Sequence, residues 1–253
     1  MMIHHKQEFF LIVTLGIGLL LFPSLDYLFA SQVGTLWEYN PFTANWEKVT
    51  WSETPEVLLE GNITYEEIDF FTEHSHQKFL DNDHALPPSY HPNDLVPIHS
   101  NFTFNASSNF QLREQAAEQF ANMARAFAYA FDFKAKLSLT SAYRSSNYQK
   151  RLTSNCSTAR CASVGTSEHE AGLAVDLGVN GGNILGNNGK YYQWLADNAH
   201  LRGFHNTYQK GVEIDGKMVE PWHWRYVDVE LATHLHDSKQ TLAEYFYSLY
   251  PTK

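Results

Sequence analysis

Two stretches hold most of the side chains that could do chemistry: Ser167-Glu168-His169-Glu170-Ala171-Gly172-Leu173-Ala174-Val175-Asp176 and, further on, Glu220-Pro221-Trp222-His223-Trp224-Arg225-Tyr226. Two neutral imidazoles and one carboxylate are a familiar ligand set for catalytic zinc, and they leave the fourth tetrahedral position open. His169, Asp176 and His223 supply that set, so one Zn2+ per chain is the expected cofactor. Glu220 is the carboxylate expected to serve as general base toward a water that such an ion activates.

The flanking residues indicate how these groups could converge. From Gly172 the chain alternates, with Leu173, Val175 and Leu177 on one face of an expected strand and Gly172, Ala174 and Asp176 on the other. The branched face packs into a core and the face of small residues leaves room for an ion. Gly172 lets the backbone bend between His169 and the strand. Pro221 forces Glu220 into extended geometry, so Glu220 and His223 are expected on a bend that leads into a second strand.

Ser-x-His-x6-Asp followed by Glu-Pro-Trp-His-Trp-Arg-Tyr resembles the VanY-type D-alanyl-D-alanine carboxypeptidases of zinc peptidase family M15. Ser141-Ala142-Tyr143-Arg144-Ser145, with Tyr148-Gln149 after it, is similar to the substrate-binding motif of that family. The resemblance runs from about Leu86 to the end. It implies an α+β fold, a small antiparallel sheet with packed helices of the hedgehog/DD-peptidase kind, with the metal at the open face of the sheet. It also implies removal of a terminal D-alanine from peptidoglycan stem peptides or precursors. Arg144, Gln149 and Ser167 would contact the carboxyl-terminal end of the peptide, and Arg144 would offset negative charge there. His205-Asn206-Thr207-Tyr208 departs from the pattern, which in this stretch would carry an apolar residue and an arginine.

The remaining chain positions these motifs. With 253 residues, 43% of them hydrophobic and 18% charged, it can bury a sizeable core. A net charge of -10 argues against a nucleic-acid partner. Residues 1–31, with Lys6 ahead of the apolar run Phe9 to Phe22, read as a signal peptide or a single membrane anchor, retention being slightly favoured. Export is the expected consequence, and the resemblance places the action in the bacterial cell envelope. Residues 32–85 form an N-terminal extension of unknown role. Their His74-x-His76 pair reads as loop histidines rather than ligands, and Asn62-Ile63-Thr64 could open a short helix.

Residues 86–253 are the expected catalytic domain. A polar cluster, Asn105 to Asn109, is expected to cap a helix from about Gln111 to Ala130, whose apolar stripe is Leu112, Ala116, Phe120, Met123 and Phe127. Lys136 to Thr140 alternates as a strand that delivers Tyr143 and Arg144, and Ser145 or Ser146 would cap the short helix that holds Gln149. Cys156 and Cys161 suit a disulfide in an exported protein. A helix from about Tyr191 to Leu201 should end at Gly203. Val212 to Val219 reads as a hairpin with an Asp215-Gly216 turn, and Leu242 to Tyr250 as an amphipathic helix. His234 and His236 read as surface or capping residues.

Each reactive residue also has a structural reading: a core histidine at 169, a turn residue at 176, a partner for Arg225 at 220. The joint spacing favours the metallopeptidase. Within it, L,D-carboxypeptidase or peptidoglycan endopeptidase specificity is the alternative, and a non-catalytic cell-wall binding module is a further one.

Overall fold

The computed structural model describes residues 33–40, 45–52, 68–106, 109–182 and 185–251. The chain forms two units, Met1–Thr64 and Tyr65–Lys253. The expected signal or anchor segment and the helix expected after Asn62 lie outside the described residues. Among those described, no helix is long and apolar enough to cross a membrane. In the first unit, β1 (Val33–Asn40) pairs antiparallel with β2 (Asn45–Ser52), Asn40 standing opposite Asn45.

In the second unit, β3 (Leu95–Pro97) pairs antiparallel with β4 (Gln111–Arg113), which runs straight into α1 (Glu114–Ala130). Ala116, Phe120, Met123 and Phe127 recur at helical spacing on the buried face of α1. The helix starts later than expected because Leu112, though buried, is spent on the β3 pairing. Nor does the Asn105–Asn109 cluster cap it. Asn105 instead brackets Leu139, accepting from its N–H at 2.7 Å and donating to its carbonyl at 2.8 Å. The first-turn N–H of Glu114 donates to the Asp94 carbonyl.

The site rests on a four-stranded antiparallel sheet ordered β5-β6-β8-β7. Its strands are β5 (Leu137–Ser141), β6 (Ala174–Val179), β7 (Phe204–His205) and β8 (His223–Tyr226). Leu173, Val175 and Leu177 are fully buried in the core beneath α1, as their alternation implies. Between β5 and β6 lies α2 (Ser146–Thr153), capped by Ser145, whose hydroxyl accepts from Tyr148 N–H. α3 (Lys190–Asn198) continues as a 3-10 turn (Ala199–Arg202) that ends at Gly203. There φ is +75° and a Cβ would lie 2.5 Å from the Tyr226 ring, so glycine meets both demands.

The hairpin expected over Val212–Val219 is absent. Val212–Asp215 forms one helical turn, α4, closed by Gly216 at φ +70°. The Asp-Gly pair ends a helix here because Asp215 N–H and Gly216 N–H reach back to the Gly211 and Val212 carbonyls. Val212 and Ile214 are exposed, so no strand face is buried.

α5 (Val229–Ser238) and α6 (Leu242–Leu249) close the domain, with a complete Thr241/Glu244 capping box on α6. Phe70 and Phe79 enter the same small core as Leu231, Leu235 and Phe246, with Phe79 stacked on Phe246 at 4.0 Å. Burying each phenylalanine is worth about 1.5–3 kcal/mol. Residues 68–85 thus pack into the domain expected to begin at Leu86. Two buried arginines tie this strap down: Arg113 donates to the His74 carbonyl at 2.7 Å, and Arg225 to the His76 and Lys78 carbonyls.

Candidate metal centre

β6 and β8 are neighbours in register, with Asp176 opposite His223. His169 reaches the same point from the turn before β6. Gly172, at φ +71°, makes that turn, and a Cβ there would press on Leu95 at 3.0 Å and Arg113 at 3.1 Å. One ligand atom from each of His169, Asp176 and His223 then lies within 4.8 Å of the others, the only such group of three or more among the described residues. His74, His76, His234 and His236 stay out of it. His76 faces Asp228, His74 lies against Tyr90, His234 packs on Tyr245, and His236 stacks on His200.

The hydrogen bonds around the trio show which atoms are free to meet a metal. His169 Nδ1 lies 2.8 Å from the Ala142 carbonyl and must donate to it, which leaves Nε2 as a bare lone pair. That Nε2 is buried, has no hydrogen-bond partner and faces Asp176 Oδ1 at 3.3 Å. His223 Nε2 donates to Glu168 at 2.7 Å, and its Nδ1 faces Asp176 Oδ1 at 3.1 Å. Two imidazole nitrogens therefore converge on one carboxylate, the donor set of a tetrahedral zinc site. An orphaned buried nitrogen is costly unless something fills its lone pair, and the residues fit Zn2+.

Electrostatics favour a cation at this point. Burial opposes the Asp176 charge, yet the His169 and His223 rings hold its carboxyl well below the usual range. Burial also opposes a charged His223, but hydrogen bonds to Asp176 and Glu168 prevail and lift its pKa to about 10. Burial, above all, pushes the His169 pKa down and keeps its imidazole neutral, the form in which histidine can ligate a metal.

Two partners of the site were not singled out as such from sequence. Glu168 is buried between His223 and Arg225, with Arg225 Nη1 donating to it at 2.8 Å. Burial opposes its charge, while Arg225 and His223 hold its pKa at about 2. Arg225 is thus the partner of Glu168, not of Glu220. Its signal was present, since a residue two after His223 on a strand shares its face. Tyr208 is the other: its ring lies 4.8 Å from the His223 ring.

Arg144, Gln149, Ser167, His169, Tyr208, Glu220 and His223 line one cleft, together with Arg160 and Lys217. Arg144 Nη1 donates to Gln149 Oε1 at 3.1 Å, and its Nη2 lies 3.8 Å from Asp176. Gln149 is fully buried and donates to the Ala162 carbonyl. Cys156 and Cys161 form a disulfide, and the loop they close bonds to the stretch before Glu220, Met218 N–H donating to the Ala159 carbonyl. Glu220 to His223 is a β-turn closed by His223 N–H to the Glu220 carbonyl at 3.0 Å, with Pro221 at its favoured second position. Burial, above all, raises the Glu220 pKa.

Residues 109–229 match the family described as VanY, D-alanyl-D-alanine carboxypeptidase. A putative carboxypeptidase of Bacillus subtilis, YodJ, is 33% identical over 184 residues, which cover 66% of this chain and 65% of that protein. The chain spans less than two thirds of the length of the curated relatives it matches. The LdcB LD-carboxypeptidase structure superposes with a TM-score of 0.62 at 30% identity, covering 69% of this chain and 86% of that one. A mutant of the vancomycin-resistance D,D-pentapeptidase VanY, solved in complex with Zn(II), gives 0.54 at 26% identity, covering 66% and 97%.

Proposed function

Because the chain belongs to the VanY-type D-alanyl-D-alanine carboxypeptidase family, we propose that it is a zinc-dependent carboxypeptidase that removes the terminal D-alanine from peptidoglycan stem peptides. The observation that carries this reading is the convergence of His169, Asp176 and His223 beside a cleft that His169 and His223 line together with Arg144 and Glu220. When bound, Zn2+ supplies Lewis acidity, polarising a carbonyl and lowering the pKa of water toward about 7.

The side chains do the rest. Arg144, held by Gln149, receives the anionic end of the peptide, with Ser167 beside it in the cleft. Glu220 takes a proton from the attacking water and hands it to the leaving amine. Its burial-raised pKa suits both halves of that transfer, because a base that must return its proton works best when its pKa lies nearer the working pH. Glu168 holds His223 by Nε2, which keeps Nδ1 available as ligand. The disulfide suits an oxidising compartment, in keeping with action on the cell envelope.

L,D-carboxypeptidase activity is the second reading, favoured by the higher identity and TM-score of the LdcB superposition. The two separate on a pentapeptide stem ending in D-Ala-D-Ala and a tetrapeptide stem, each incubated with zinc-loaded protein and the products weighed. Loss of one D-alanine from the pentapeptide alone supports the first reading. Cleavage of the tetrapeptide supports the second. Cleavage of neither overturns the carboxypeptidase assignment and leaves an endopeptidase or a binding module.

A further inference from the structure

The four residues that depart from the family pattern, His205 to Tyr208, lead out of edge strand β7 and lie against the Glu220–His223 turn. Asn206 is only 3% exposed. Its amide has two N–H donors, and both are used on that turn: Nδ2 donates to the Glu220 carbonyl at 2.8 Å and to the His223 carbonyl at 2.6 Å. From the same segment, the Tyr208 carbonyl accepts from Glu220 N–H at 2.9 Å, and the Tyr208 ring packs on His223. One short stretch thus grips the turn at both ends.

Asn206 itself stays out of the Arg144 cleft. It lines a separate cavity on the other side, beside Tyr192 and Trp224. Whatever it contributes must therefore travel through the backbone of the turn. The two carbonyls that it joins belong to a metal ligand and to the carboxylate read as general base. We infer that Asn206 is a positioning residue, whose side-chain amide sets the spacing between the Glu220 carboxylate and the ion held by His223. The inference rests on the proposed function for the role of Glu220. The two middle carbonyls of the turn have other donors, Leu177 N–H to Trp222 and the Trp224 indole Nε1–H to Pro221, so Asn206 is the side-chain donor on the two end carbonyls.

Asn206→Asp keeps the size and removes the donors, turning a single oxygen toward both carbonyls. The expected result is a 10- to 100-fold fall in zinc affinity, roughly that of losing a partner outside the ligand set. The visible absorption of the Co2+-substituted protein should shift, and kcat should fall on a similar scale. KM for the peptide should hold, since Arg144, Gln149 and Ser167 are untouched. Tyr192→Phe removes only a hydroxyl 3.5 Å from Asn206 Oδ1 and should leave all four quantities unchanged. Asn206→Leu is read in the same way should the aspartate destabilise the fold.

Wild-type zinc affinity and cobalt spectrum in a folded variant would overturn the inference, as would a raised KM at constant kcat. If the parent protein binds zinc but cleaves neither stem peptide, the proposed function fails. The affinity and cobalt readouts still decide whether Asn206 holds the metal end of the turn.

Discussion

Glu168→Gln should both loosen the fold and weaken the metal site. The carboxylate accepts from His223 at 2.7 Å through one oxygen and from Arg225 at 2.8 Å through the other. None of the three side chains is more than 3% exposed. A hydrogen bond to a charged group contributes about 1.5–3 kcal/mol, so the pair is worth about 3–6 kcal/mol before compensation. That range overlaps the roughly 3–5 kcal/mol lost when one member of a buried ion pair is removed. Glutamine keeps one acceptor oxygen and aims an NH2 group at either His223 or Arg225, so it can serve only one of them. Urea unfolding of the metal-free variant at neutral pH should therefore show a loss of about 3 kcal/mol at constant m-value. Competition with a chromogenic chelator should show zinc bound about 10- to 100-fold more weakly. Adding Arg225→Met removes the stranded cation and should restore part of the stability. A loss below about 1 kcal/mol with unchanged zinc affinity would refute the reasoning, since it would mean that the buried pair contributes no more than an exposed one.

Glu220→Ala should retain zinc while turnover falls by about 10²- to 10⁴-fold, measured as D-alanine release; retained turnover would remove Glu220 from its proposed role. Gly172→Ala places a Cβ against Leu95 and Arg113 at φ +71°. It should cost about 1–3 kcal/mol in thermal or urea unfolding and weaken zinc binding by shifting His169. Because the Glu168 pKa is depressed from 4.5 to about 2 in the folded state, its stabilisation is complete above the ordinary value and is lost as pH falls toward 2. Urea unfolding of the metal-free protein between those limits should show that slope, and Glu168→Gln should flatten it.

The convergence of His169, Asp176 and His223 was legible because their signals are local. Alternation from Leu173 to Leu177 fixes which way Asp176 points, and Pro221 fixes the bend that lets Glu220 and His223 share one turn. The apolar stripe of α1 and the left-handed stop at Gly203 could be read for the same reason. What escaped was decided by tertiary contact. Leu112 fits a helical stripe and a strand equally well, and only pairing with Val96 chooses. Val212-Glu213-Ile214 alternates like a strand but finds no partner strand to pair with or core to face, so the Asp-Gly pair ends a helical turn. Phe70 and Phe79 carried no motif, and their place in the core depends on α5 and α6, far along the chain.

The relay from His223 through Glu168 and Arg225 ends on the carbonyls of His76 and Lys78, outside the matched segment 109–229. The portable unit is therefore larger than its signature. A graft cut at residue 109, or even at Leu86, would carry His169, Asp176 and His223 and still leave the innermost arginine facing bare solvent or a foreign surface. Conversely, a substitution among residues 74–78 that shifts the strap backbone reaches His223 through Arg225 and Glu168 without touching any of the three converging side chains. Phe246 and Leu231, both beyond the signature, hold that strap in place from the other side. The converging side chains and their support thus come from separate stretches of the chain.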